Sequence, residues 1–302
     1  MSGAKDIQVC WHEGANASDN RCWLGMTTML NNAFDATSAE EYQLIHRSTM
    51  AEVLPADEII MVIHGDHEHQ KVELIKKELD GFKKALIIVI GDESALFPSQ
   101  ALLAYNRLVW HQVPIPGRHD FAKRSMICGY PHDAPGLLSP YIDNPKTLDW
   151  AFMGQVTHVR RQMCAEQLRT MKNGYLLETA GFWQGLDRAE YYKIMASAKV
   201  IPCPSGPVNP DSFRVWEALE AGCVPIVDGT CPKFAYPNGY WKYVLRYDPP
   251  FPIIYDWKSL PEVMEAVLVK WETAQSFTQA WWKFYKQEMM QWPAEDLRSL
   301  QC

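Results

Sequence analysis

The sequence predicts an α/β protein of two doubly wound domains, each built on a parallel sheet. Three observations predict it. The chain has 302 residues, and about 150 residues is the usual size of one domain. Uninterrupted apolar runs such as Ile59-Ile60-Met61-Val62-Ile63 read as strands buried on both faces, as in a parallel sheet. Strand-sized runs of this kind alternate with helical or loop segments through both halves of the chain.

In order along the first half, strands are expected at residues 7–11, 42–46, 58–63, 85–90, 108–113 and 125–128. Between the third and fourth, residues 69–84 read as a charged helix carrying apolar Val72, Leu74, Ile75, Leu79 and Phe82. Prolines and glycines crowd residues 129–136, and a turn-rich stretch follows to 145, so the linker is placed near 139–146. The second half reads as strand 151–154, helix 157–172, strand 175–179, helix 187–198, strand 199–202, helix 212–221 and strand 224–227. A helical, aromatic tail spans 261–292. The expected organisation is a first domain over 1–144, a second over 145–275, and a final helix over 276–302 packing back on the first domain. In open α/β sheets ligands sit beyond the carboxyl ends of the strands, so residues just after each strand are the functional candidates.

Composition narrows the classes. Lys and Arg number 29 against 36 Asp and Glu, a net charge of −7, which argues against a surface devoted to nucleic acid. The 12 Trp, 13 Tyr and 11 Phe exclude a disordered chain and suit large cores and ring-stacking pockets. Trp11, Trp23 and Trp183 sit beside expected ligand-facing loops. No apolar run reaches the roughly 18 residues needed to cross a bilayer, and residues 1–6 lack a signal-peptide pattern. The 8 Cys are scattered with no Cys-x-x-Cys pair, as in a cytosolic protein with reduced thiols.

The most informative segment is SGPVNPDSFRVWEALEAGCVPIV at residues 205–227. It reads as a Pro/Gly-rich loop after a strand, a helix capped by Asp211 or Ser212, a Gly stop, and a buried strand. A loop feeding a helix start aims backbone N–H groups and a positive dipole end at a bound anion, and a diphosphate fits. Arg214, in the first turn, adds a bidentate phosphate contact. Glu217, three residues on and on the same face, can accept both hydroxyls of a ribose.

This segment resembles the donor-binding region of GT-B glycosyltransferases, most closely the exostosin-like family. Ser212, Arg214, Glu217, Ala218, Leu219, Ala221, Gly222, Cys223 and Pro225 match that family's pattern, with Ile226 in place of Val. Upstream, Asp149-Trp150-Ala151-Phe152-Met153-Gly154 followed by Arg160-Arg161 is similar to the glycine turn and phosphate-binding arginine that open its nucleotide domain. Residues 191–206, ending in Pro202-Cys203-Pro204-Ser205-Gly206, resemble its next helix, strand and Pro-x-Gly run. The resemblance covers residues 148–230. It implies two Rossmann-like domains with parallel sheets facing a central cleft, and a nucleoside-diphosphate sugar, first of all a UDP-sugar, as co-substrate. Gly154, Arg160, Arg161, Ser205, Ser212, Arg214 and Glu217 become the donor residues. Asn209 stands where many retaining enzymes carry a first glutamate, which favours an inverting, metal-independent transfer of a hexose or pentose. Family members usually sit behind a membrane anchor, so a cytoplasmic bacterial or viral relative is expected rather than a Golgi enzyme.

An inverting transfer needs one base near the acceptor hydroxyl. Asp92 follows a strand directly and resembles the strand-end aspartate of phage DNA glucosyltransferases; it is the first candidate, with Asp19 and Glu13 behind it. Asp92 also reads as a cap for the turn that follows. Glu93, His64, Asp66 and Arg118 complete the acceptor side. The acceptor is a glycan or small molecule. Basic residues near Arg118, His119, Lys123 and Arg124 keep open a DNA glycosyltransferase acting on 5-hydroxymethylated pyrimidines. A different class, a metal-dependent hydrolase, is suggested by His64-Gly65-Asp66-His67-Glu68-His69, although its spacing matches no standard ligand motif.

Overall fold

A computed structural model of the chain describes residues 4–12, 24–38, 42–181 and 184–300. Contacts divide the chain into two units, one of residues 1–128 with 285–302 and one of residues 129–284.

The first unit contains, in chain order, β1 (Lys5–Trp11), α1 (Leu24–Ser38), β2 (Tyr42–Arg47), β3 (Glu58–His64), α2 (Gly65–Glu68), α3 (Val72–Leu79), β4 (Lys84–Ile90), β5 (Arg107–Gln112) and β6 (Arg124–Met126). Its sheet is parallel throughout, in the order β2-β1-β3-β4-β5-β6. The uninterrupted apolar runs serve both faces by the strand's period of two. Ile60, Val62, Leu86 and Ile88 turn to one core with Leu30 and Phe34. Ile59, Met61, Ile63, Ile87 and Val89 turn to another with Ile75 and Leu79.

The second unit contains α4 (Ala134–Leu138), β7 (Leu148–Gln155), α5 (Val159–Leu168), β8 (Gly174–Thr179), α6 (Arg188–Ser197), β9 (Ala198–Cys203), α7 (Phe213–Glu220), β10 (Val224–Asp228), α8 (Tyr240–Leu245), β11 (Ile253–Ile254) and α9 (Leu260–Val269). Its sheet is also parallel, ordered β11-β10-β9-β7-β8. Phe152, Val200, Val224 and Ile226 share one face with Cys164 and Leu168 of α5 and Met264 of α9. Neither sheet closes into a barrel, so the architecture is that of two Rossmann-like domains. The last helix, α10 (Trp271–Ser299), contributes its first residues to the second unit and those from Tyr285 onward to the first.

The differences from the sequence reading are local. The helix expected over 69–84 is confined to α3, because the chain turns at Asp80 and Gly81 and β4 already begins at Lys84. The α5 helix stops at Leu168 rather than 172, and Asn173, at φ 54°, turns the chain into β8. The units divide after Cys128, not after 144. The turn-rich stretch folds into α4, which packs on α6 and α7 and so joins the second unit. The tail's aromatic rings are largely structural: Trp282 packs on Trp216 within the second unit, and Trp292 meets Trp110 edge-on within the first.

Candidate functional site

In a parallel sheet whose first strand is flanked on both sides by its successors, a crevice opens where the chain reverses direction across the sheet. In the second unit that point lies between β7 and β9. The carboxyl end of β7 leads into α5, and that of β9 leads through residues 204–212 into α7.

Two guanidiniums occupy this point. Arg161, on α5, is buried and donates from Nε to the Ser205 carbonyl (3.2 Å) and from Nη1 to the Gln155 carbonyl (3.3 Å). Arg214, in the first turn of α7, donates from Nη2 to the Met153 carbonyl (2.9 Å) and lies over the Phe152 ring at 4.7 Å. Burial, reinforced by Arg214, lowers the Arg161 pKa to about 10. Among the described residues neither arginine has a carboxylate in ion-pair range. A Cβ on Gly154 would lie 2.1 Å from Arg214 Nη2, so this position must be glycine for the guanidinium to stand where it does. Arg214 Nε and the hydroxyls of Ser205 and Ser212 are buried without a hydrogen-bond partner, as is Nε2 of His158 at the start of α5. Unneutralised positive charge beside unsatisfied donors is the chemistry of an anion site.

Glu217, one turn further along α7, is 7% exposed. Its Oε1 accepts from the Tyr192 hydroxyl (2.7 Å) and its Oε2 from the Tyr191 hydroxyl (2.9 Å). Burial raises its pKa; the two tyrosines, Arg214 and Arg188 pull the other way without cancelling it. Sequence reading placed Tyr191 and Tyr192 in a helix but missed their role, since nothing in their spacing marks a partner 25 residues away.

Two expected donor-side details differ. Arg160 faces Asp228, a fully buried carboxylate at the end of β10, which also accepts from Trp257 Nε1 (3.0 Å) and the Thr230 N–H (2.9 Å). Arg160 thus neutralises a buried charge, and Arg161 is the arginine without a counterion. Neither Asp211 nor Ser212 caps α7 as expected. Ser212 is the N-cap residue but makes no side-chain capping bond, and Asp211 instead accepts from Trp216 Nε1 (2.6 Å).

In the first unit, Asp92 is 3% exposed and holds a loop. Its Oδ1 accepts the N–H groups of Leu96 (2.9 Å) and Phe97 (3.1 Å), and its Oδ2 faces His111 Nε2 at 3.5 Å. Burial alone would raise this carboxyl, but His111 and the two N–H groups hold it below the usual aspartate range. This geometry serves the capping role better than that of a base presented to an acceptor. Glu93 and Arg118 are exposed, and the half-buried Asp66 accepts the Ser94 N–H at 3.1 Å. Glu13, Asp19, Trp23 and Trp183 lie outside the described residues. Trp11 is a core residue bonded through Nε1 to His46 (3.2 Å).

The histidine-rich stretch is spent on local structure. His64 Nδ1 accepts the His67 N–H (3.3 Å), the two rings stack at 4.0 Å, and His69 Nδ1 bonds the Asp66 carbonyl (2.9 Å). Glu68 turns away to His12 and to the His64 N–H (2.9 Å). Among the described residues, metal-ligand atoms gather instead at Asp92, His111 and His119, within 4.8 Å of one another. They do not fit one ion. The two rings stack at 3.8 Å and 21°, so their lone pairs run side by side. His119 Nδ1 accepts the Ile115 N–H (3.1 Å), which leaves the neutral ring's proton on Nε2. The basic group expected near Arg118 is also dispersed. His119 is buried, and Arg124 is paired with Glu295 (2.7 Å) and Asp296 (3.0 Å).

Residues 152–297 match the family model of the RXYLT1 C-terminal domain, an exostosin-related glycosyltransferase family. The matched stretch includes Gly154, Arg161, Ser205, Ser212, Arg214 and Glu217. No curated protein matches the chain. Among the described residues no helix is long and apolar enough to cross a membrane.

Proposed function

We propose that the chain is a GT-B glycosyltransferase that moves a sugar from a nucleoside diphosphate, UDP first among them, to a hydroxyl of a glycan or small molecule. The observation that carries this reading is the pair of guanidiniums without an ion-pair partner, Arg161 on α5 and Arg214 on α7, at the carboxyl edge of β7 and β9, the second of them one helical turn from Glu217. In this reading Arg161 and Arg214 neutralise the diphosphate, assisted by the uncapped start of α7 and the hydroxyls of Ser205 and Ser212. Glu217 accepts the ribose hydroxyls. Transfer proceeds with inversion: the acceptor oxygen attacks the anomeric carbon, its proton goes to a base, and the bond to the diphosphate breaks with the electron pair leaving on phosphate oxygen. Charge on the departing diphosphate is met by the arginines, so a resident metal is not required. With Asp92 spent on its own loop, Glu13 and Asp19, which lie outside the described residues, are the remaining candidates for the base. Both follow β1 in sequence, and β1 and β3 frame that sheet's own reversal point.

Calorimetry with UDP, GDP, CDP and their sugars, UDP-xylose included, tests the donor half. Arg214→Ala and Glu217→Ala should each weaken the preferred nucleotide by at least about tenfold. Glu13→Gln or Asp19→Asn should keep that affinity and lose turnover. Wild-type affinity for every nucleotide in both donor variants would sink the assignment.

A further inference from the structure

The Glu217 carboxylate does not stand alone. Tyr191 and Tyr192, adjacent on α6, each give one hydroxyl to one of its oxygens (2.9 and 2.7 Å). The Tyr192 hydroxyl in turn accepts from Arg188 Nη2 (3.0 Å); that guanidinium is ion-paired with Asp133 and lies 5.5 Å from the Tyr192 ring centroid. A chain of polar contacts therefore runs from Asp133 through Arg188 and Tyr192 to Glu217, all within the second unit.

We propose that Tyr191 and Tyr192 are positioning residues that hold Glu217 as an ionised, acceptor-only carboxylate with one lone-pair site per oxygen left for ligand, making the site selective for a ribonucleotide over its 2′-deoxy counterpart. The proposal rests on the donor reading above. Each carboxylate oxygen offers about two acceptor positions. The phenols fill one on each oxygen and fix the rotation of the group, so the remaining two point as a matched pair. Burial and the neighbouring Glu217 charge raise the pKa of both phenols, which keeps them as donors. A pair of acceptors is satisfied by two adjacent hydroxyls. A 2′-deoxyribose leaves one buried oxygen unsatisfied, which is what gives polar sites their selectivity.

The groups that set the charge of Glu217 are the two phenols, Arg214 on its own helix, and Arg188 at the start of α6. The Cys203 thiol at the end of β9 is pushed up chiefly by burial, with Arg214 opposing and the Glu217 carboxylate adding to the rise. Burial opposes the ionisation of Glu217. With both phenols removed, burial gains weight and the Glu217 pKa moves further up; where the carboxyl takes up a proton, one acceptor becomes a donor.

The test is the affinity of UDP and 2′-deoxy-UDP from about pH 6 to about pH 9 for the wild type, Tyr191→Phe, Tyr192→Phe, the double variant and Glu217→Gln. The wild type should prefer UDP by about tenfold or more, with little pH dependence. The double variant should lose about ten- to a hundredfold in UDP affinity at the acid end and regain much of it at the alkaline end. Thermal unfolding of the single variants, which keep the rings, checks that the fold is retained. A loss that is flat in pH, or a double variant that keeps wild-type affinity and selectivity, overturns the positioning role while leaving the donor reading standing. Undiminished UDP binding by Glu217→Gln overturns both.

Discussion

At Gly154 a single missing carbon decides where a charge stands. The Arg214 guanidinium lies where any side chain at that position would be. Gly154→Ala should displace it from the Met153 carbonyl and the Phe152 ring, weakening nucleotide binding by about tenfold or more while thermal stability changes little. Calorimetry beside a melting curve checks this, and unchanged affinity would show that Arg214 is not a ligand. The same scale shows what sequence can carry. Arg214 and Glu217 were legible as a pair because both are fixed by one helix's periodicity. The choice between Arg160 and Arg161 was not. It depends on Asp228, which lies 68 residues from Arg160 and reaches it only after β10 takes its place beside β9.

Among the elements, the strands of both sheets were readable because a parallel strand buried on both faces leaves an unbroken apolar run. The short helices α4 and α8 leave no comparable trace, since at 5 and 6 residues they span too few turns for a period to show. The end of the last helix carries one buried carboxylate that bonds to two strands of the first unit. Asp296 is 1% exposed and accepts from Trp110 Nε1 (2.7 Å) and from Arg124 (3.0 and 3.1 Å). Removing this buried carboxylate strands the indole N–H and leaves Arg124 with the exposed Glu295 alone, so Asp296→Ala should cost about 2 kcal/mol. Urea unfolding of the intact chain measures it. A cost below about 1 kcal/mol, the range of a surface ion pair, would mean that packing of Ala294 and Leu297 holds the helix without the polar anchor.

Across the whole molecule, buried histidines set how the fold meets acid. Burial, aided by the neighbouring His67 and His111, lowers the His64 pKa to about 4 and the His119 pKa to about 3. Both folded values lie below the unfolded one, so their contribution is complete above about pH 6.5. It is lost as pH falls, because the unfolded chain takes up protons that the fold refuses. His12 has the opposite sign. Burial alone would lower it, but Glu68 and Glu78 raise it, so its contribution is full at low pH and fades as pH rises through its folded value. Burial also lowers His46 and His158, and four rings against one predict a melting temperature that drops between about pH 6.5 and about pH 4, and a shallower drop in His119→Gln. A melting temperature flat over that range would contradict the burial assigned to these rings.

By itself the sequence determined that this is an α/β chain with two parallel sheets, and that residues 205–227 form a loop, helix and strand. Those features are written in local periodicity, in apolar runs, and in the placing of Gly and Pro. Only the tertiary structure decided which charges are spent and which remain. It paired Arg160 with Asp228, folded Asp92 into a loop, spent the histidine-rich stretch on bonds among its own residues, and brought two tyrosines to Glu217. A charge is neutralised by whatever lies within a few ångströms of it, and over separations of 25 to 68 residues that neighbour is chosen by the order of strands in a sheet.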